Sequence, residues 1–181
     1  MDRTSLGVSL PTIANQVFVV SYNLNDKPSF TPIAFAGCCN MEPPMMSLTV
    51  GRSNLLNEVL KSEKFCTLNL ATPDMCEAVD RSGSVSARDT DKSMFFEYDR
   101  VDVSGQSAYL IHNSPMNIVC KVRTVVENTD DLFILDVVEL FAHRAVLGAE
   151  GKPMMSKDKV NPMFFSFDGP SYYQIGENVS N

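Results

Sequence analysis

A chain of 181 residues is the size of one ordinary domain, and 44% hydrophobic residues are enough to build a core without disulfides. That content also excludes a disordered chain. A net charge of −7, with Lys and Arg scattered singly, excludes a nucleic-acid surface, which needs clustered cations to neutralise phosphates.

Strand patterns dominate the chain. Val17-Phe18-Val19-Val20-Ser21-Tyr22 is β-branched and aromatic, and it runs into the turn cluster Asn25-Asp26-Lys27-Pro28. Ile33-Ala34-Phe35-Ala36 and Met45 to Val50 follow as strands, separated by Glu42-Pro43-Pro44, so this part reads as a β-meander. The period then changes. Ser53 is placed to cap a helix whose Leu55, Leu56, Val59 and Leu60 share one face. Phe65 to Leu70 alternates like a half-buried strand, and Pro73 to Val79 suits a short helix behind Thr72. Ser82 to Ser93 reads as a polar loop, long enough to suggest a function. Strands over Asn117 to Val126 and Leu132 to Phe141 come next, then Phe164 to Phe167 and Tyr172 to Glu177. The expectation is a mainly β chain with short helices, forming a small closed antiparallel barrel in one domain over residues 1–181.

The five cysteines, Cys38, Cys39, Cys66, Cys76 and Cys120, show no zinc-site spacing, and neither His112 nor His143 has a second ligand type beside it. No metal is expected, and the thiols read as reduced and mostly buried. Met1 to Leu10 lacks a signal-peptide run, and no stretch approaches the roughly 20 apolar residues of a membrane span. The Asn178-Val179-Ser180 sequon therefore reads as chance, and a cytoplasmic protein without membrane partners is expected.

Five segments in order carry a resemblance. They are Phe18 to Cys39 followed by Pro43-Pro44, Gly51-Arg52-Ser53-Asn54 opening a helix, the loop Asp80 to Lys92, Ala145 to Pro153, and Tyr172-Tyr173-Gln174-Ile175-Gly176-Glu177. Together they resemble the flavin reductase-like family, most closely its flavoredoxin-type branch. The resemblance implies an FMN-binding split β-barrel, six-stranded, antiparallel and Greek-key-like. It also implies a homodimer with flavin near the subunit interface. NADH or NADPH is the implied electron donor, and a small molecule or a protein the acceptor. The alternative is an electron carrier without nicotinamide activity.

FMN needs a cradle for its phosphate, a slot for its flat ring and donors at the ring edge. A strand feeding a helix N-terminus offers free N–H groups at Gly51 to Asn54, and Arg52 adds charge-assisted bonds. Ser53 either donates to the phosphate or only caps the helix. The small-residue run Ala34 to Cys39, including Phe35, Ala36, Gly37 and Cys38, admits a flat ring close to its backbone, or simply packs tightly as a core strand. Adjacent Cys38 and Cys39 make a poor redox pair because their ring is strained. The resemblance brings Lys92 to the cofactor, with Asp89 and Arg88 at the pocket rim. A salt-bridged loop is the other reading of these residues. Tyr172 or Tyr173 covers the pocket from the partner, or packs the dimer interface. No acid–base residue is assigned, since hydride transfer demands positioning first.

The chain departs from the family pattern at Ser29 and Pro32, where Asn and Thr are common, and at Ser93, where an aromatic is usual. A late His near the flavin is replaced by Asp131, whose carboxylate is expected to disfavour an anionic reduced flavin.

Overall fold

The computed structural model describes residues 3–167 and 171–179. Asp2 of the N-terminal stretch and Ser180 of the sequon lie outside them. In chain order the strands are β1 (Asn15–Gln16), β2 (Phe18–Leu24), β3 (Lys27–Ile33), β4 (Ala36–Asn40), β5 (Met45–Gly51) and β6 (Phe65–Leu70). They continue with β7 (Tyr98–Val103), β8 (Gln106–Ile111), β9 (Met116–Val126), β10 (Asp130–Ala142), β11 (Met163–Ser166) and β12 (Ser171–Gln174). Helices α1 (Leu55–Glu63) and α2 (Cys76–Ser84) complete the frame, α2 entered by a 3-10 turn over Pro73–Met75.

Seven strands form one antiparallel sheet in the order β3-β2-β6-β9-β10-β5-β4. The expected six-stranded closed barrel is corrected on both counts. The sheet has seven strands, and its edge strands β3 and β4 do not pair. β3 holds Pro28 and Pro32, which have no N–H to give a further ladder, so an edge is where it can sit. Ile33 to Ala36, expected as one strand, is instead a corner at Ala34 and Phe35 that carries the chain from one edge of the sheet to the other. The mainly β class with short helices stands.

Burial on both faces explains the strand sequences. One face, with Phe18, Val20 and Tyr22 of β2 and Phe133 and Leu135 of β10, packs on Leu56, Val59 and Leu60 of α1. The other face of β2 and β3, with Val19 and Phe30 and with Val17 just ahead of β2, is covered by Met75 and Val79 of the α2 region and by Phe96. The β7–β8 hairpin lies over Phe65 and Val119. β6 is therefore buried at all six positions rather than half-buried, because its polar face meets that hairpin instead of water. Asn69 makes this possible: its Nδ2 donates to Val19 O at 2.9 Å, and its Oδ1 accepts from Ile111 N at 3.1 Å and Asn117 Nδ2 at 2.8 Å.

Turn chemistry sets the hairpins. Asn25 and Asp26 both take left-handed backbone, at φ 52° and 63°, and close β2 onto β3 in two residues. Ser104 and Gly105 do the same for β7 and β8, at φ 57° and 78°. The sequence reading missed this second hairpin, although Ser-Gly between two alternating runs was its signal. α2 also reaches Ser84 and so takes the first three residues of the expected polar loop, Ser82, Gly83 and Ser84.

Candidate functional site

One end of β5 gathers most of the residues singled out above. Ala36 lies opposite Leu48, and Thr49 N–H donates to Phe35 O at 2.8 Å. The Ala34–Phe35 corner thus sits at the end of β5 from which the Gly51–Asn54 turn departs. On its other side β3 meets α2 closely: a Cβ on Gly83 would stand 3.2 Å from Pro32 Cγ. The neighbouring Ser82 carbonyl accepts from Lys92 Nζ at 2.7 Å. Arg88 pairs with Glu58 in the first turn of α1, and Asp91 lies 3.7 Å from Lys27 beside the β2–β3 turn. The loop between α2 and Lys92 therefore spans from that turn to α1. Asp89 is exposed on it, its N–H donating to Ser86 O at 3.2 Å.

The cap of α1 is Asn54, not Ser53. Asn54 takes extended backbone and its Oδ1 accepts from Leu56 N at 3.0 Å, so the Ser53 side chain is exposed. Arg52 is half-exposed, and its Nε donates to Asp131 Oδ1 at 2.9 Å.

Asp131 does not confront the site with a free charge. Its side chain is fully buried and accepts from Lys61 Nζ at 2.6 Å, Arg52 Nε at 2.9 Å, Asn128 N at 3.1 Å and Asn57 Nδ2 at 3.2 Å. The Lys61 ammonium, then Arg52, Asn128 and Asn57, hold its carboxyl well below the usual range against the opposing cost of burial.

Lys92 is buried, and burial lowers its pKa. Among the described residues no carboxylate lies within ion-pair distance of it. Phe35 is exposed and stacks on Phe167 with ring centroids 4.9 Å apart at 8°. Along β4, Ala36 and Gly37 are half-buried, and a Cβ on Gly37 would meet nothing within 4 Å. Cys38 pairs with Met46 and Asn40 with Met45, so Cys39 is the bulged residue between them. Both cysteines are exposed and free, contrary to the mostly buried reading, because β4 is an edge. Tyr172 shares a cavity of about 160 Å3 with Pro32, Ala34, Val79 and Phe167. Its hydroxyl donates to Asp80 Oδ1 at 3.4 Å, and burial followed by the Asp80 charge pushes its pKa up to about 12. Tyr173 is exposed. A cavity of about 760 Å3 between Met154–Asp158 and Ile175–Val179 holds none of these residues.

Residues 10–163 match the flavin reductase like domain. The chain belongs to that family. No curated protein sequence matches it. Among solved structures, flavoredoxin from Methanosarcina acetivorans superposes with a TM-score of 0.90 at 21% identity, covering 100% of this chain and 95% of that one. Flavoredoxin of Desulfovibrio vulgaris (Miyazaki F) follows with 0.88 at 22%, covering 99% and 97%. An FMN-binding protein from Thermus thermophilus gives 0.81 at 16%, covering 100% and 99%. This flavin reductase-like chain thus has the fold of the flavoredoxin-type branch.

Sequence reasoning missed Asn57, Glu58 and Lys61 as parts of the site. Asn57 carried a usable signal, being a polar residue flanked by the apolar Leu56 and Val59 on the buried face of α1. Lys61 carried none, because its partner lies 70 positions away.

Proposed function

We propose that this chain binds FMN at the Gly51 end of β5 and acts as a flavin reductase-type oxidoreductase. NADH or NADPH is the hydride donor, and a small molecule or a protein takes the electrons. The single observation that carries the reading is the convergence at this one place of the Gly51–Asn54 turn, the Ala34–Phe35 corner and the loop ending in Lys92.

The residues present fit the group. A phosphate suits the turn before α1, where the Arg52 guanidinium and the exposed Ser53 hydroxyl stand at the positive end of the helix. The Asn54, Leu56 and Asn57 N–H groups already have partners in Gly51 O, Asn54 Oδ1 and Asn54 O. The open space over Gly37 accommodates a flat ring that a side chain there would obstruct. Lys92 is a buried cation with no carboxylate within ion-pair distance among the described residues, and a nearby anion would offset its desolvation. FMN, when bound there, would supply hydride and electron-transfer chemistry between a nicotinamide and the acceptor. The task of this chain is to bind and orient. Arg52 and Ser53 at the positive end of α1 hold the phosphate, Ala36 to Cys38 present backbone groups to the ring edge, and Phe35 with Phe167 walls the corner. Asp131, balanced by Lys61, adds no uncompensated negative charge, which favours the nicotinamide-dependent reading over a bare carrier.

The test is the visible spectrum of the purified protein with FMN, taken anaerobically before and after NADH or NADPH. Flavin bands that bleach are expected. Bands that persist with both donors overturn nicotinamide use and leave the carrier, while protein that takes up no FMN overturns the whole reading. The proposal includes a homodimer, for which light scattering is expected to give twice the 20.0 kDa chain mass.

A further inference from the structure

We propose that Asp131 is a positioning residue that turns Arg52 into a preorganised clamp for the FMN phosphate. The inference rests on the phosphate-cradle reading above and extends it to a residue that touches no cofactor.

Asp131 stands second in β10, opposite Val50, one residue before the turn that carries Arg52. Its buried carboxylate receives four donors from three separate pieces of chain. Asn57 and Lys61 come from α1, Arg52 from the turn, and the Asn128 N–H from the approach to β10. Asn57 Nδ2 also donates to Val50 O at 2.9 Å, which pins α1 to the end of β5 at the same point. The cradle and the helix whose N-terminus completes it are thus locked to one buried group.

Charge balance decides what is left over. The node holds one carboxylate and two cations. Lys61 Nζ, on Oδ2 at 2.6 Å, already balances Asp131, so the charge of Arg52 is not cancelled. Two further carboxylates stand at the turn, both exposed and therefore screened. Glu127 lies 3.8 Å from Nη2, and Asp130 Oδ1 would lie 3.2 Å from a Cβ on Gly51. Arg52 bonds Asp131 through Nε alone, and its side chain is 50% exposed, so Nη1 remains for an incoming anion and Nη2 has only its loose ion pair with Glu127 to exchange. A free surface arginine would lose its rotamer entropy on binding. Here that cost is met during folding, so less of it is charged to the ligand.

A purely structural tie would have a different signature. Loosening it would lower stability and change the affinity for any flavin alike, whereas a phosphate clamp acts on FMN and not on riboflavin, which lacks the phosphate. The experiment measures dissociation constants of the full chain for FMN and riboflavin by quenching of flavin fluorescence. Wild type, Arg52→Ala, Arg52→Lys and Asp131→Asn are compared. Wild type is expected to prefer FMN. Arg52→Lys keeps the charge but loses the Nε bond, and it is expected to lose about tenfold or more in FMN affinity with riboflavin unchanged. Asp131→Asn is expected to do the same, and if it fails to fold, Arg52→Lys on the exposed turn carries the test alone. A preference for FMN that Arg52→Ala abolishes but Arg52→Lys and Asp131→Asn retain would overturn the positioning role and leave the cradle intact. Wild type without any preference for FMN would overturn the cradle and this inference with it.

Discussion

β6 and β4 are short strands of the same sheet, and they have opposite fates. β6 has a ladder on each side, α1 below and the β7–β8 hairpin above, and all six of its residues are buried. β4 has one neighbour, a bulge at Cys39 and no fully buried residue. Both carry cysteines, so the difference comes from position in the sheet and not from composition. The centre of the sheet holds the stability, and the edge leaves backbone open for a ligand.

The thiols test this contrast most directly. Burial pushes the Cys66 thiol up to about 12, so at neutral pH it carries far less thiolate than an exposed cysteine. Cys38 and Cys39 are exposed and are expected to react with iodoacetamide in native protein at neutral pH, while Cys66 and Cys120 react only after unfolding. Mass spectrometry of the labelled peptides checks this, and labelling of Cys66 at the rate of Cys38 would break the comparison. Truncation gives the next largest effect. Leu68→Ala in β6 is expected to cost about 2–5 kcal/mol in denaturant unfolding, against less than about 0.5 kcal/mol for Cys38→Ala in β4.

Lys92 sits between these extremes, a buried charge at the margin of the site. Its folded pKa is lowered, so the unfolded chain holds the proton more tightly, and stability of the flavin-free protein rises as pH climbs through that lowered value toward the unfolded one. Lys92→Met is expected to remove this rise and to weaken FMN binding by about tenfold. Thermal melts between pH 7 and 10, with a flavin titration, separate the two effects. The smallest effect belongs to His112. Hydrogen bonding to Asp99 leads burial and Glu97 among its influences and raises its pKa. Its contribution is therefore complete below its ordinary value of 6.5 and is lost as pH rises through the raised folded value. The group is half-exposed, so His112→Gln is expected to shift stability at pH 5.5 by only a few tenths of a kcal/mol.

Local signals were legible wherever one stretch of chain carried the whole message. The β-branched run of β2, the Asn25-Asp26 turn, the amphipathic face of α1 and the glycine-led turn at Gly51 each encode their own conformation, since backbone preference and burial period act over a few residues. The family likeness rested on such local segments and on their order. What lay beyond reach was every decision made between distant strands. Asn54 displaced Ser53 as the cap, Asp131 turned inward to Lys61 and Arg52, and Cys38 and Cys39 came to the surface while Cys66 and Cys120 did not. Each outcome depends on which strand lies in the middle of the sheet, which at the edge, and where β10 begins against β5. Ladder pairing across dozens of residues fixes those facts, and a carboxylate with two cations beside it takes a meaning there that its own neighbours in sequence do not carry.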